Sequence, residues 1–321
     1  MRIHAMILKK LFLGAAALAT LATSAAAEAG KTDPFDFEPN PAIWRLADDD
    51  TTIYLFGTIH VLPKKLKWRS AALNRIVKEA DALIVETTET DEEKEDGFDK
   101  MFDRMIIAGL QQKPLIERVK PENRDALKLL AKEIEIPLGL LDILPAWMVP
   151  FMVFFRSIDG TDISGEYGVE TILEAEFNKA KKPILSIEDG DAVFASLSAL
   201  PQGEQLAMID DMLAEIREAQ VVSLVPSEEA PAPTTTDYAD DIGWAKGLHE
   251  ILAENLTEAE LGKSMYRVLL TDRNAAWTEW LIKRLDQPGN ILVAVGAGHL
   301  TGEDSVQKML EARGMTVERV H

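Results

Sequence analysis

One pattern, a β-rich run that ends in Gly-x-x-His, occurs near both ends of the chain. The first copy is TTIYLFGTIH, which ends at His60, and the second is NILVAVGAGH, which ends at His299. Each copy is followed by a segment with helical spacing and then by another β-rich run, ALIVETT in the first case and MTVERV in the second. Strand-helix-strand crossovers normally make both strands parallel. The repeat therefore predicts an α/β fold with a mixed or mostly parallel central sheet built from two strand-GxxH-helix-strand units.

The carboxyl edge of that sheet is the expected place for a ligand site. Gly57 and Glu86 end the two strands of the first unit, so both should emerge at the edge where open α/β sheets bind their ligands. Gly296 takes the place of Gly57 in the second unit. Glycine suits such a turn because it accepts a positive φ angle and allows a histidine or a bound group to approach closely. We therefore expect Gly57 and Gly296 to border a bound cofactor.

The two histidines and Glu86 form a candidate metal site. With nineteen glycines and five histidines, about 0.3 GxxH matches are expected by chance, so two matches at strand ends carry weight. Neutral imidazole is the commonest metal ligand. Glu86 ends an apolar strand, where its charge is costly unless it is paired or bound to a cation. Two histidines and one carboxylate would leave coordination positions open for water, as in hydrolytic zinc sites. The alternatives are capping or core histidines and a solvated glutamate at a strand end.

Three other polar residues are weaker candidates. Arg273 in the segment DRN could stabilise the negative charge that develops on a carbonyl oxygen, and we count it as a catalytic candidate. The alternative for Arg273 is a surface ion pair with Asp272 or Glu279. Glu170 and Glu188 stand near a helix start and a strand end, where they could at most support the metal ligands.

The N-terminus has the pattern of a signal peptide. Three basic residues precede an apolar run at 11–22, and Ala25 and Ala27 form an A-x-A cleavage site. The run is too short to cross a hydrocarbon core of roughly 30 Å. The chain contains no cysteine, which excludes a lipoprotein anchor. We therefore predict that residues 1–27 are removed and that the mature protein is exported, periplasmic or secreted, with no transmembrane anchor.

The remaining sequence predicts one domain at 42–321 after a polar, flexible leader at 28–41. A large helical insertion is expected within this domain. The insertion should span about 98–288. Within it, the sequence predicts two long helices, at 192–219 and 257–285, and a low-complexity mobile loop at 226–236. The formal net charge is −20 at pH 7 and becomes more negative when the basic signal peptide is removed. Such a charge repels phosphate backbones, so nucleic acid is not an expected partner.

The sequence resembles the TraB/GumN family, which is related to the Tiki metalloproteases. The resemblance rests on WRL followed by TTIYLFGTIHVLP, and on ALIVET, DRNAAW and ILVAVGAGHL, and it extends from Trp44 to about Val320. It implies an α/β sheet with a helical insertion, an active site of paired GxxH motifs and a glutamate, and manganese or cobalt as the metal. Matched by position, the implied ligands are His60, Glu86 and His299.

Three functions are consistent with these residues. The first is a metal-dependent hydrolase of peptidase type, in which manganese, cobalt or zinc activates a water that attacks a peptide or small-molecule substrate. The second is a metal-independent, esterase-like hydrolase with a histidine or glutamate general base, similar to the erythromycin esterase folds. The third is a protein that binds a metal or haem without turnover.

Overall fold

A computed structural model describes residues 33–88, 112–218 and 238–321. The predicted signal peptide, the beginning of the predicted insertion and the predicted mobile loop at 226–236 lie outside the described residues. None of the helices in these described ranges is long and apolar enough to span a membrane.

A six-stranded mixed sheet forms the centre of the protein. The strands are β1 (Ile43–Ala47), β2 (Thr51–Thr58), β3 (Leu62–Pro63), β4 (Ala82–Val85), β5 (Ile163–Ser164), β6 (Ile184–Ser186), β7 (Gly289–Gly296) and β8 (Val317–Arg319). The order in the sheet is β6-β4-β7-β2-β1-β8, and β3 pairs separately with β5. The neighbours from β6 to β2 are parallel, whereas β1 is antiparallel to both β2 and β8. The predicted α/β class with a mixed sheet is confirmed.

β7 occupies a central place between β2 and β4. All of its residues from Ile291 to Val295 are buried, which is typical of a parallel strand covered on both faces. Thr58 pairs with Gly296, so β2 and β7 end at the same level. The two GxxH segments therefore leave the sheet side by side. β8 pairs with β1 at the far side of the sheet and does not contact β7 as a ladder neighbour.

Helices cover both faces of the sheet. The helices of the described ranges are α1 (Ala71–Glu79), α2 (Leu115–Arg118), α3 (Arg124–Glu133), α4 (Leu138–Ile143), α5 (Met148–Ile158), α6 (Val169–Ala180), α7 (Gly190–Ser198), α8 (Gln202–Glu218), α9 (Ala239–Ala245), α10 (Glu258–Leu261), α11 (Lys263–Tyr266), α12 (Asp272–Arg284) and α13 (Val306–Ala312). On one face, Phe56 of β2 belongs to a core cluster with α1 and α6. On the other face, Val293 of β7 belongs to a cluster with α12 and α13. The helices α2 to α5 and α8 contribute to a third cluster of their own.

The spacing of apolar residues explains α1 well. Leu73, Ile76 and Val77 are its buried residues and lie on one face, while Ser70 caps the helix by accepting a hydrogen bond from the Leu73 N–H. Local sequence thus specifies where this nine-residue helix begins and which face is apolar, and packing of that face against the sheet stabilises it.

Neither of the two long helices predicted in the insertion is continuous. The segment 192–219 contains α7 and α8, which are separated at Pro201, a residue that has no backbone N–H to extend a helix. The segment 257–285 contains α10, α11, a π-helical turn at Arg267–Thr271 and α12, with Gly262 at a φ of +78° between the first two. The insertion also contributes β6 to the central sheet, within the segment PILSIE, whose sequence is typical of a short strand.

The described part of the predicted leader is anchored. Phe35 is only 4 % exposed and belongs to the core cluster with α1, and its ring centroid lies 5.1 Å from that of Tyr238. The Asn40 N–H donates a hydrogen bond of 2.8 Å to the Ala245 carbonyl. From residue 33 onward, the segment that the sequence assigns to a flexible leader therefore packs against the domain through a buried aromatic ring.

We predict that Phe35→Ala lowers the free energy of unfolding by about 3 kcal/mol, since a fully packed aromatic side chain would be replaced by a cavity. Urea denaturation of the purified protein measures this change. Leu248→Ala is the matched control, because Leu248 is 60 % exposed and its loss should change stability by less than about 0.5 kcal/mol. Equal stabilities of Phe35→Ala and the wild type would show that this segment does not contribute to the core.

Candidate active site

The carboxyl ends of β2, β4 and β7 come together at one edge of the sheet. Glu86 directly follows β4, which is parallel to β7. Its Oε1 atom accepts a hydrogen bond of 2.7 Å from the Gly296 N–H at the end of β7. This bond fixes the carboxylate beside the second GxxH segment.

Arg273 joins Glu86 to Glu188. One Nη2 N–H of Arg273 donates to Glu86 Oε2, and its Nε atom lies 3.0 Å from both oxygens of Glu188. The three side chains are only 12 to 18 % exposed. The Trp277 indole N–H donates to Glu188 Oε2 at 2.9 Å, and the guanidinium lies 4.8 Å from the centre of the Trp277 ring. Arg273 is therefore part of a desolvated ion-pair network.

The alternative of a surface ion pair for Arg273 is wrong. Asp272 pairs instead with Arg267 at 3.3 Å, and Glu279 pairs with Arg313. Arg273 is the second residue of α12 and lies on the turn of that helix that is closest to Glu86.

His299 is a buried imidazole with one nitrogen fixed. Its Nδ1 atom lies 2.5 Å from the amide oxygen of Asn274, and the Asn274 amide nitrogen donates to the Asp304 carbonyl at 2.7 Å. This second bond orients the amide, so its oxygen faces the ring and Nδ1 carries the proton. The Nε2 lone pair then faces Glu86 Oε1 at 3.8 Å, beyond hydrogen-bond distance.

The burial of His299 keeps it neutral. Desolvation lowers the pKa of His299 to about 3, and the nearby Glu86 carboxylate only partly opposes this effect. The Trp277 ring covers the imidazole, with 4.2 Å between the ring centroids. At neutral pH this side chain can therefore act as a base or as a ligand, but it does not supply a proton.

His60 has the opposite protonation state. Its Nδ1 atom lies 2.9 Å from Glu170 Oε1, an oxygen that also accepts the Thr58 hydroxyl. Local desolvation lowers the pKa of His60, but the Glu170 carboxylate outweighs it and raises the pKa to about 9. His60 is thus protonated at neutral pH, and its half-exposed ring leaves Nε2 accessible.

The start of α6 shapes the first GxxH segment. Gly168 precedes α6, and a Cβ atom on it would lie 2.1 Å from the carbonyl oxygen of His60. The Val169 N–H donates to the Ile59 carbonyl at 3.1 Å. The segment YGVE therefore needs glycine for a close backbone contact, which places Glu170 in the first turn of α6 beside His60.

The glycines of the two GxxH segments also act by close approach. A Cβ atom on Gly57 would lie 2.9 Å from Ala297 Cα, and one on Gly296 would lie 3.0 Å from Glu86 Oε1. Gly296 has a φ of −48°, and neither glycine belongs to the described residues with positive φ. The expectation of a positive φ at these two glycines is therefore wrong. Glycine is needed at both positions because a side chain would collide with a neighbouring segment.

Glu86 is electrostatically coupled to both histidines. Burial raises its pKa, but His299, Arg273 and His60, together with the Gly296 N–H, outweigh this effect and hold the pKa at about 2. The charge of Glu86 in turn raises the pKa of each histidine. The structure thus brings the three candidate ligands within range of one another's charge at one edge of the sheet.

The donors partly fit a divalent ion. No group of three histidine, aspartate or glutamate side chains in the described ranges is arranged as a complete ligand set. Both candidate histidines, however, have Nδ1 held by an oxygen, from Asn274 in one case and Glu170 in the other. Metal-ligating histidines are oriented in this way, with Nε2 left for the metal. His299 and Glu86 are the better fixed donors, since the His60 side chain is 56 % exposed.

Sequence reasoning missed several residues of the site. Asn274 and Trp277 were not selected, although they follow Arg273 in DRNAAW at spacings of one and four, which places Trp277 one helical turn after Arg273. The spacing of four residues between Arg273 and Trp277 was the signal in the sequence that could have identified Trp277 as a neighbour of the arginine. Thr58 was also missed, and no local pattern identifies it. Glu170 was considered only as support, which is the position in which the structure places it.

The fold and the site define an α/β protein with two GxxH segments and a buried glutamate at the carboxyl edge of its sheet. A model of the TraB/PrgY/gumN family matches residues 42–319, and the chain belongs to that family. This confirms the family resemblance found in the sequence.

Two relatives carry the name "uncharacterized protein YbaP". The protein from Escherichia coli (strain K12) is 27 % identical over 271 residues, which cover 84 % of this chain and 92 % of the relative. The protein from Shigella flexneri is 27 % identical over 258 residues, which cover 80 % of this chain and 87 % of the relative. No solved structure matches the chain.

We predict that His299 makes the metal-free protein less stable as the pH falls below about 6.5, because the unfolded His299 takes up a proton that the folded ring, with a pKa of about 3, does not. His60, with a folded pKa of about 9, acts in the opposite direction. The His299 effect amounts to about 2 kcal/mol between pH 6.5 and pH 5. Urea midpoints at pH 7.5 and 5.0 in the presence of a chelator measure it. His299→Gln should lose less stability over the same range, and an unchanged pH dependence in this variant would contradict the assignment.

A second prediction concerns Glu170. Glu170→Gln removes the negative charge beside His60, so the pKa of His60 should fall from about 9 to its ordinary value or below. Proton NMR titration of the His60 ring in metal-free protein measures this pKa. Glu176→Gln is the control, because Glu176 lies on the same helix but pairs with Arg69 at 2.8 Å. A His60 pKa that stays near 9 in Glu170→Gln would mean that another group holds the proton.

Proposed function

We propose that the protein is an exported, metal-dependent hydrolase of peptidase type, with its reaction centre at the shared edge of β2, β4 and β7. Export is supported by the signal-peptide pattern of residues 1–27. Hydrolysis is supported by the chemistry of the site described above.

The geometry of His299 carries this proposal. A neutral ring that is buried, fixed at Nδ1 and directed through Nε2 toward a carboxylate provides a preorganised donor. Burying an imidazole and a carboxylate in this way costs stability, and a core without function would pair them directly. The separation of 3.8 Å between Nε2 and Glu86 Oε1 leaves them unbonded to each other. Two neighbouring donors that do not bond to each other suit a shared cation.

His299, Glu86 and His60 would hold the ion in this proposal, with His60 giving up its Nε2 proton when the ion binds. A bound manganese, cobalt or zinc ion would supply an activated water and polarise the substrate carbonyl. Glu86 Oε1 accepts one N–H and retains a second lone pair, while Arg273 holds Oε2 and so orients the carboxylate.

Arg273 has two roles in the proposed mechanism. Its guanidinium keeps Glu86 ionised, and in this proposal it would also stabilise negative charge that develops on a carbonyl oxygen of the substrate. Glu188 and the Trp277 ring hold the guanidinium in place, so little reorganisation is needed during the reaction. Glu170 orients His60 through Nδ1 and is a positioning residue.

A metal-independent hydrolase is the second candidate, and the protonation states of the two histidines favour it. At neutral pH His60 is a protonated acid, and His299 at the same edge of the sheet is unprotonated, although its pKa of about 3 makes it a weak proton acceptor. General acid–base catalysis needs both forms in one site. This candidate uses the same residues and differs in that its activity would resist chelators.

The metal content of purified protein tests the leading proposal. We expect about one divalent ion per chain in the wild type, and an at least tenfold weaker affinity in His60→Ala and in His299→Ala, because each change removes a ligand. Mass spectrometry of the metal after dialysis against manganese, cobalt or zinc measures this. His321→Ala is the control, because His321 follows β8, which β1 separates from β2 in the sheet, and its carbonyl accepts hydrogen bonds from the Ile43 N–H and the Arg319 side chain.

Hydrolysis of a mixed peptide library by the same proteins separates the two candidates. Activity that is lost with chelator and restored by one of these metals supports the metal-dependent reaction. Activity that resists the chelator supports the second candidate. Stoichiometric metal in the double variant His60→Ala/His299→Ala would show that the ion binds elsewhere.

A further inference from the structure

Asn274 is a buried polar side chain that has no role in the mechanism proposed above. It is the third residue of α12, inside a helical stretch that begins with the π-helical turn at Arg267–Thr271, and it is only 1 % exposed. Asparagine is a poor helix former, because its amide competes with the backbone for hydrogen bonds. Burying an amide also costs free energy unless its groups are paired. Packing alone therefore does not account for an asparagine at this position.

Both ends of the Asn274 amide are used. Its Nδ2 atom lies 2.7 Å from the Asp304 carbonyl oxygen, which can only accept a hydrogen bond, so the NH₂ group must face that oxygen. The amide oxygen then faces Nδ1 of His299 at 2.5 Å. Asp304 is itself held, because the Tyr266 hydroxyl donates to its Oδ2 atom at 2.8 Å. The amide therefore cannot turn over without losing the bond to the Asp304 carbonyl.

The His299 ring is packed on its face and along one edge. The Trp277 ring covers it at a centroid distance of 4.2 Å, and a Cβ atom on Gly296 would lie 3.6 Å from the Cδ2 atom of His299. These contacts hold the ring with Nδ1 toward Asn274 and Nε2 toward Glu86. The position of the single proton on the neutral ring is then the one property that the packing leaves undecided.

Two acceptors compete for that proton. Glu86 is charged, which makes its carboxylate a stronger acceptor than an amide oxygen. However, its Oε1 atom lies 3.8 Å from Nε2, beyond hydrogen-bond distance, whereas the Asn274 oxygen is in contact with Nδ1. The nearer acceptor holds the proton on Nδ1. The Nε2 lone pair is therefore left facing the carboxylate.

The proton should move when the amide is removed. A buried Nδ1–H without a partner is costly. An Nε2–H could instead bond to Glu86 after a shift of about 1 Å, since such bonds join atoms about 2.9 Å apart. His299 and Glu86 would then pair directly, and the lone pair that a metal ion needs would be replaced by an N–H.

We propose that Asn274 is a positioning residue, which fixes His299 as the Nδ1–H tautomer and so keeps its Nε2 lone pair available for a divalent metal ion beside Glu86. The part that concerns the metal rests on the proposed hydrolase function. The tautomer does not require a metal, so the two parts can be tested separately.

Nitrogen-15 NMR of the histidine rings measures the tautomer in the full chain, with chelator present, at pH 7.5. Burial lowers the pKa of His299 to about 3, so its ring is neutral at this pH, and the protonated and unprotonated nitrogens of a neutral imidazole have well-separated shifts. The His299 signals are identified by their absence from His299→Gln.

The variant Asn274→Leu has a branched side chain of similar length that neither donates nor accepts a hydrogen bond. Asn274→Ala, which keeps a good helix former at this position, gives the same comparison if the leucine variant does not fold. Thr278→Val is the matched control. Thr278 is buried on the same helix, and its hydroxyl bonds to the Asn274 backbone carbonyl at 2.7 Å, so this change disturbs the surroundings of Asn274 without removing its amide.

We expect the proton on Nδ1 in the wild type and in Thr278→Val, and on Nε2 in Asn274→Leu and Asn274→Ala. The His60 signals should not change in any of these proteins, because the Nδ1 partner of His60 is Glu170 on α6. A proton on Nε2 in the wild type, or on Nδ1 in a folded Asn274 variant, would overturn the proposal.

Calorimetric titration with manganese or zinc tests the part that concerns the metal. We expect Asn274→Leu to bind the ion about 10- to 100-fold more weakly than the wild type, as is typical when the partner that orients a ligand is lost. Thr278→Val should bind as the wild type does, and equal affinity in Asn274→Leu would overturn this part. A wild type that has the Nδ1–H tautomer but binds neither ion would keep the tautomer assignment and overturn the metal-dependent function alone.

Discussion

The ion pairs between Arg273 and the carboxylates of Glu86 and Glu188 are the interaction on which the rest of the site depends. Glu86 follows β4 and Glu188 follows β6, so this one guanidinium forms ion pairs with carboxylates at the ends of two neighbouring parallel strands. Buried charges of like sign would repel each other strongly without it, and loss of one partner from a buried pair is costly. The arginine thereby allows a carboxylate to remain ionised beside an otherwise apolar sheet.

The two GxxH segments have the same local pattern but place their histidines in opposite electrostatic environments. His299 is enclosed by Trp277 and held by a neutral amide, so desolvation decides its protonation and keeps it neutral. His60 lies beside the Glu170 carboxylate, so charge attraction decides its protonation and keeps it charged. The motif therefore sets the position of each ring, whereas its neighbours set the chemistry that the ring can perform.

The irregular helices next to the site link its structure to the proposed function. The break at Gly262 and the π-helical turn lie immediately before α12, which carries Arg273, Asn274 and Trp277. In this region the Leu269 carbonyl accepts a hydrogen bond from the Arg273 guanidinium. Local departures from regular structure are expected where function, and not stability, determines the backbone. Family membership is shared with relatives whose chemistry is uncharacterized, so the site itself carries the functional argument.

The sequence by itself determined the local elements and the edge at which the site lies. Alternating and continuous apolar runs predicted β1, β2, β4 and β7. The ends of those strands pointed to His60, Glu86 and His299 as candidate residues. Both signals could be recognised in the sequence because they depend only on neighbours within a few residues. Only the tertiary structure decided that β7 lies between β2 and β4, that Arg273 pairs with Glu86 and that Phe35 is buried. Those contacts join residues far apart in the chain, and their energies depend on burial and charge, which no local pattern contains.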